Sequence, residues 1–191
     1  MSATAVIILV VVLLIVIVLA AVLIARPTMR RRRLKETFGP EYDRAVEDSG
    51  DERTAQEELQ RRQRRHEEIT LNPLSDDHRA QYLRDWSIVQ EEFVDSPQDA
   101  VNRADQLIGA VMQDRGYPSG DFDQQAADLS VEHANVLEHY RKAHAISQRS
   151  SEDQRSSEDR ASTEDLREAM VHYRTLFEDL VDHAASGRSR S

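Results

Sequence analysis

The sequence predicts an all-α protein that consists of an N-terminal transmembrane helix, a charged helical stalk and a small antiparallel helical bundle. Three observations predict this fold class. Residues 1–25 carry no charged side chain, apolar residues further along recur at the three- and four-residue spacing of amphipathic helices, and no segment alternates like a half-buried strand. The 191 residues leave room for one modest domain and its appendages.

The charge balance excludes several classes of function. The chain has 25 Lys and Arg residues against 35 Asp and Glu, which gives a formal net charge of −10. A nucleic-acid partner is not expected, because recognition of phosphates requires a basic face. The absence of cysteine excludes disulfides, thiolate metal sites and cysteine nucleophiles.

The first predicted element is a transmembrane helix over residues 1–25. At about 1.5 Å per residue, the apolar run of residues 3–25 makes about 34 Å of helix, enough to cross about 30 Å of hydrocarbon. A cleaved signal peptide is the alternative. It would require basic residues before an apolar core of about 7–15 residues, whereas this run is longer and follows no basic side chain.

A basic flank, residues 26–35, follows the apolar run. Its cations are Arg26, Arg30, Arg31, Arg32, Arg33 and Lys35. By the positive-inside rule the flank stays in the cytoplasm. We therefore expect a single-pass protein of the cell membrane with its N-terminus outside and its C-terminal domain cytoplasmic; an extracytoplasmic domain is the alternative. The flank serves either as a topology signal alone or also as a site for anionic lipid.

Residues 36–74 are predicted to form the charged helical stalk. Pro40 after Gly39 marks a helix start, and Gly50 marks its end. The second stalk helix is predicted over residues 51–69. The residues at helical spacing along one of its faces, its stripe, are Ala55, Leu59, Arg62, His66 and Ile69. Because two of these positions are polar, a stable coiled coil is not expected.

Residues 75–185 are predicted to form a bundle of the four-helix type. Ser75 caps its first helix, Pro97 opens the second, Ser130 caps the third after a short helical piece, and Ser162 caps the last. The four inner stripes are Ala80, Leu83, Trp86, Val89 and Phe93; Ala100, Ala104, Leu107 and Val111; His133, Leu137, Tyr140 and His144; and Leu166, Met170, Tyr173, Phe177 and Leu180.

Two polar segments are predicted to lie outside the packed core. Residues 150–161 contain two near-copies of the string Ser-Ser-Glu-Asp, and none of residues 150–160 is apolar. Because such a segment cannot bury surface, residues 150–161 are predicted to be a flexible loop. Residues 186–191 are predicted to be a disordered tail.

Several short strings in the chain are distinctive. They are residues 86–95 (WSIVQEEFVD), 111–118 (VMQDRGYP), 126–131 (AADLSV), 140–144 (YRKAH) and 169–174 (AMVHYR). In these strings the chain resembles a family of uncharacterised bacterial single-pass membrane proteins, and the resemblance covers most of residues 34–181. It implies an N-terminal transmembrane helix followed by a small helical domain, and it implies no catalytic or binding residues.

Histidines are the candidates for metal or acid–base chemistry, because the chain contains no HExxH, GxSxG, GxGxxG or P-loop string. Packing of the last two long helices could bring His144 near His172 or Glu168. The Glu-x-x-His spacing of dimetal bundles is missing, however, so neither a metal site nor a cofactor is expected. The histidines are interpreted as side chains of the core and its rim.

The expected function is that of a membrane-anchored interaction or scaffold module, which holds an acidic bundle at the bilayer for an unidentified protein partner. The alternative is a ligand-binding sensor or enzyme, with Tyr140, His144 or Tyr173 in a pocket between the helices. A filled bundle centre favours the module, whereas a pocket with converging His, Tyr and carboxylate groups favours the alternative. An enzyme is not expected.

Overall fold

The computed structural model describes residues 12–14, 16, 29–151 and 161–186. Within these residues the only regular secondary structure is helix, which confirms the all-α fold class. None of the helices in this part of the chain is long and apolar enough to cross a membrane. Apart from positions 12–14 and 16, the predicted transmembrane helix lies outside the described residues, as do Arg26, the tail beyond residue 186 and residues 152–160 of the predicted loop.

Residues 29–38 are helical, and seven further helices follow in the described ranges. They are α1 (Pro40–Ser49), α2 (Glu52–Glu68), α3 (Asp76–Asp95), α4 (Pro97–Asp114), α5 (Phe122–Leu129), α6 (Ala134–Ser151) and α7 (Thr163–Ser186). The chain divides into two compact units, Met1–Leu59 and Gln60–Ser191.

The first unit buries apolar side chains in the region that the sequence predicts to be a stalk. Leu34, Phe38, Tyr42, Ala55 and Leu59 each expose at most 3% of their surface. The Tyr42 hydroxyl donates to Glu52 Oε1 over 2.6 Å, which joins α1 to the start of α2. The predicted limits of α1 are confirmed, since Pro40 is its first residue and Gly50, at φ 73°, caps its end. These two helices therefore carry packed residues in addition to their charges.

The second unit is a helical bundle in which α4 and α6 both pack on α7. α3 packs on α4, and α5 packs on α6. The largest fully buried aliphatic side chains of this core are Ile108, Leu129, Leu137, Leu176 and Leu180. Trp86 of α3 stacks on Phe177 of α7 with ring centroids 4.8 Å apart, so the burial of aromatic area holds α3 and α7 together.

The segment before α3 is tied to the end of α4. The Asn72 backbone N–H donates to the Arg115 carbonyl over 2.8 Å, and Leu74 is buried in the core. Gly116 ends α4 at φ 94°, as the sequence predicts, and a Cβ atom there would lie 2.5 Å from the Thr70 carbonyl oxygen. The second unit thus includes residues that precede the predicted start at residue 75.

Two details of the predicted bundle are wrong. Ser130 does not cap the third long helix; it ends α5, its Oγ donating to the Ala127 carbonyl over 2.6 Å, and α6 begins at Ala134. Leu83 is 39% exposed and Ala80 is also exposed, because α3 turns the face with Trp86 and Val89 inward. The spacing of apolar residues identifies which face of a helix points inward only to within about one residue position.

Candidate functional site

A buried polar cluster lies where the C-terminal end of α4 and the N-terminal end of α6 meet α7. His133 exposes 1% of its surface, and its Nδ1 contacts Asp179 Oδ2. Its Nε2 lies 3.3 Å from Arg115 Nη1, which also donates to the Leu180 carbonyl over 3.2 Å. A guanidinium can only donate, so we assign Nε2 of His133 as the acceptor and Nδ1 as the nitrogen that donates to Asp179.

The His133–Asp179 pair has the partners of an acid–base dyad but not the access. The His133 side chain is completely buried, and Nε2, the nitrogen that would act on a substrate, faces Arg115. The cluster therefore joins three helices. The sequence correctly predicts that His133 is buried, but it misses Arg115 and Asp179, which lie 18 and 46 residues away and look like ordinary surface charges.

Both tyrosines of the predicted pocket are packed and bonded within the bundle. Tyr173 donates to Asp105 Oδ1 and Tyr140 donates to Gln125 Oε1, each over 2.9 Å. Burial raises the pKa of both hydroxyls, and the Asp105 carboxylate adds to the rise at Tyr173. Both hydroxyls therefore stay protonated at physiological pH and act as hydrogen-bond donors.

His144, the third residue of the predicted pocket, is covered by an aromatic ring. It stacks on Phe122 with ring centroids 3.7 Å apart, and its Nδ1 is 4.0 Å from Asp105 Oδ1. Burial lowers the pKa of this imidazole. The three predicted pocket residues thus fill space between α4, α5, α6 and α7, which is the arrangement expected of a packed bundle centre.

The predicted approach of His144 to His172 is wrong, because His172 meets His139 instead. The Nδ1 atoms of His139 and His172 are 2.7 Å apart, and Glu168 Oε1 is 3.4 Å from His172 Nε2. His144 lies five positions further along α6 than His139, which on a helix is a different face. In the parts of the chain that the structure describes, no group of three or more His, Asp or Glu side chains is arranged to hold a metal ion.

The basic flank is exposed on the helical segment 29–38. Arg31 pairs with Glu52 over 2.7 Å and Lys35 with Asp43 over 2.9 Å, both within the first unit. Arg31, Arg32 and Lys35 line an open pocket of about 660 Å³ together with Glu36. The described cations thus face solvent, and two of them are held by carboxylates of their own unit.

A groove on the outer side of α3 and α4 exposes apolar surface. Ile88 is 50% exposed and borders a hollow of about 350 Å³, whose other apolar residues are Val89 and Leu107. Its polar residues are Asp85, Arg103 and Gln106. This surface lies outside the inner stripes that the sequence predicts, and the signal that could have revealed it is an isoleucine off the inner stripe of α3.

The candidate sites differ in access. The His133 cluster and the two tyrosines are buried, whereas the α3–α4 groove, the basic flank and the rim beside His139 and His172 reach solvent.

Comparisons of the chain with protein-family models, with curated proteins and with solved structures found no match.

Proposed function

We propose that the protein is a membrane-anchored helical interaction module that binds a protein partner at the α3–α4 groove. The observation that carries the proposal is Ile88, half exposed beside Val89 and Leu107 and surrounded by polar side chains. Protein interfaces combine an apolar centre that is desolvated on binding with a polar rim. The groove offers this combination at small scale, and the proposal assigns no catalytic step.

In this proposal the apolar segment of residues 1–25 spans the cell membrane and the bundle lies at its cytoplasmic face. The exposed arginines of the 29–38 segment then meet the bilayer surface, where each cation near anionic lipid contributes about 1 kcal/mol. A tether of this kind raises the effective concentration of the groove for partners in the same membrane.

The packing of the bundle supports a module rather than a pocket. Tyr140, Tyr173 and His144 are covered by neighbouring side chains, and both tyrosine hydroxyls are bonded within the protein. The partner should carry an apolar anchor with a basic side chain that reaches Asp85. Asp85 lines the groove, whereas Glu92 beside it pairs with Arg103 over 2.7 Å; the chain as a whole has a formal net charge of −10.

The test compares two substitutions of equally exposed apolar residues in the full chain. Ile88→Arg places a charge in the groove, and Val171→Arg places one on α7, where Val171 is 52% exposed. Each variant and the unaltered chain are purified from native membranes, and the co-purifying proteins are quantified by mass spectrometry. We expect one or more proteins to be lost with Ile88→Arg and retained with Val171→Arg. Identical recovery with both variants would contradict the assignment of the groove.

A further inference from the structure

We infer that His139 and His172 form a binding site for a divalent transition-metal ion of the zinc or copper type, with water completing the coordination. The inference goes beyond the interaction module and depends on different residues. Its basis is the convergence of two imidazole Nδ1 atoms, one from α6 and one from α7, at a distance of 2.7 Å. Imidazole nitrogen is a ligand that suits zinc, copper and nickel.

The two nitrogens lie almost at the spacing that a metal ion requires. Zinc–nitrogen bonds are about 2.0–2.1 Å long, so two nitrogens on one tetrahedral ion lie about 3.3–3.4 Å apart. The pair has to open by roughly 0.6–0.7 Å, a shift that side-chain rotation provides. Without metal, the N–H at one Nδ1 donates a hydrogen bond to the other Nδ1. With metal, both Nδ1 lone pairs point at the ion; the ring that carried the Nδ1 proton gives it to water and takes one up at Nε2, so both imidazoles stay neutral.

A carboxylate stands beside the outer nitrogen of His172. Its Nε2 is buried, has no hydrogen-bond partner among the residues that the structure describes, and lies 3.4 Å from Glu168 Oε1. A histidine that binds metal through one nitrogen donates the other N–H to a carboxylate or carbonyl in most metal sites. Glu168 is exposed and free to move closer, so it supplies the group that orients His172 and strengthens its Nδ1 as a ligand.

The surroundings of the site are nearly balanced in charge and partly exposed, with 12% of the His172 side chain open to solvent. His139 is partly exposed, and the residues flanking it on α6, Glu138 and Lys142, pair with each other over 2.8 Å. Desolvation lowers the pKa of His139, and His172 adds to the decrease, so the imidazole is available as a ligand at neutral pH. With two protein ligands and the rest water, the ion exchanges readily and clamps α6 to α7 while it is bound.

The experiment titrates ZnCl₂ into the full chain, purified in detergent without a histidine tag, by isothermal calorimetry. His139→Gln and His172→Gln remove one ligand each and keep a polar side chain at the helix interface. His78→Gln is the matched control, because His78 also contacts a carboxylate, Asp114, over 2.6 Å. We expect one zinc ion per chain, a loss of affinity of about tenfold or more in each ligand variant, and a change of less than about twofold in the control. Equal affinity in all four proteins would overturn the site.

Electron paramagnetic resonance of the unaltered chain with one equivalent of Cu²⁺ gives a second, independent result. We expect hyperfine coupling from two imidazole nitrogens, reduced to one in His139→Gln. This measurement still decides the question if a glutamine variant loses its helical circular dichroism. Coupling to a single nitrogen in the unaltered chain would show that the two rings do not bind one ion.

Discussion

Gly116 ends α4 in a backbone conformation that a side chain would strain. Its φ is 94°, and a Cβ atom would come within 2.5 Å of the Thr70 carbonyl oxygen. We expect Gly116→Ala to lower the free energy of unfolding by about 1–3 kcal/mol. The measurement is urea denaturation of the full chain in detergent, followed by the fluorescence of Trp86, its single tryptophan.

Gly109 is the matched control for this substitution. It lies inside α4, where an added Cβ would meet no atom of another described part of the chain within 4 Å. Gly109→Ala should raise the free energy of unfolding by about 0.5–1 kcal/mol, because alanine loses less backbone entropy in a helix. A loss of stability at Gly109 equal to that at Gly116 would contradict the conformational explanation.

Removal of His133 should destabilise the second unit. His133→Ala removes one acceptor of the buried Arg115 guanidinium and the ring N–H that contacts Asp179. We expect a loss of about 3 kcal/mol, measured in the same denaturation assay. His78→Ala, at a side chain that is 56% exposed, should change stability by less than about 0.5 kcal/mol. Similar effects of the two substitutions would mean that the cluster does not hold the helices together.

Three hydrogen bonds between Ser162 and Asp165 hold the start of α7. Asp165 Oδ2 accepts from the backbone N–H and from the hydroxyl of Ser162, each over 2.8 Å, and Ser162 Oγ accepts from the Asp165 N–H over 3.1 Å. The bond from the Ser162 N–H is the first cause of a lowered Asp165 pKa, and the bond from its hydroxyl is the second. The sequence places this cap correctly because capping is local chemistry.

This cap should weaken in acid. A carboxyl group whose folded pKa lies below its unfolded value of 3.8 stabilises the fold fully above pH 3.8 and loses that effect as the pH falls through the folded pKa. We expect the Ser162 amide resonance to titrate with a midpoint below 3.8 in an NMR experiment. In Ser162→Ala the midpoint of the neighbouring amides should move toward 3.8, and a midpoint at 3.8 in the unaltered chain would contradict the cap.

The helices could be predicted because their limits depend on nearby residues, whereas contacts between helices could not. Pro97, Gly116 and Ser162 act within about one turn, and all three predictions are confirmed. The prediction for Ser130 is wrong because a serine can lie at the C-terminal end of a helix as well as at its N-terminal end, and here it ends α5. The His139–His172 contact joins residues 33 positions apart. It depends on how α6 lies against α7, which a single stripe does not specify.

The one-sided basic flank predicts how the proposed membrane-anchored chain is oriented in the bilayer. Fusions at Ser191 should give a fluorescent cytoplasmic reporter and an inactive alkaline phosphatase, because arginines next to a membrane helix remain in the cytoplasm. As a control, exchange of Arg30, Arg31, Arg32 and Arg33 for asparagine, with arginines added before residue 3, should reverse both results. High phosphatase activity of the unaltered fusion would show that the domain is extracytoplasmic.

A single residue, Ser96, separates α3 from α4, and this short connection has a consequence for the order of folding. The two helices meet through contacts close in sequence, and such contacts form fast because little loop entropy is lost. During synthesis this hairpin leaves the ribosome well before α7. Until Phe177 is made, Trp86 lacks the ring on which it stacks. The early hairpin therefore exposes an aromatic surface to chaperones and nascent chains, and α7 covers that surface once it is made.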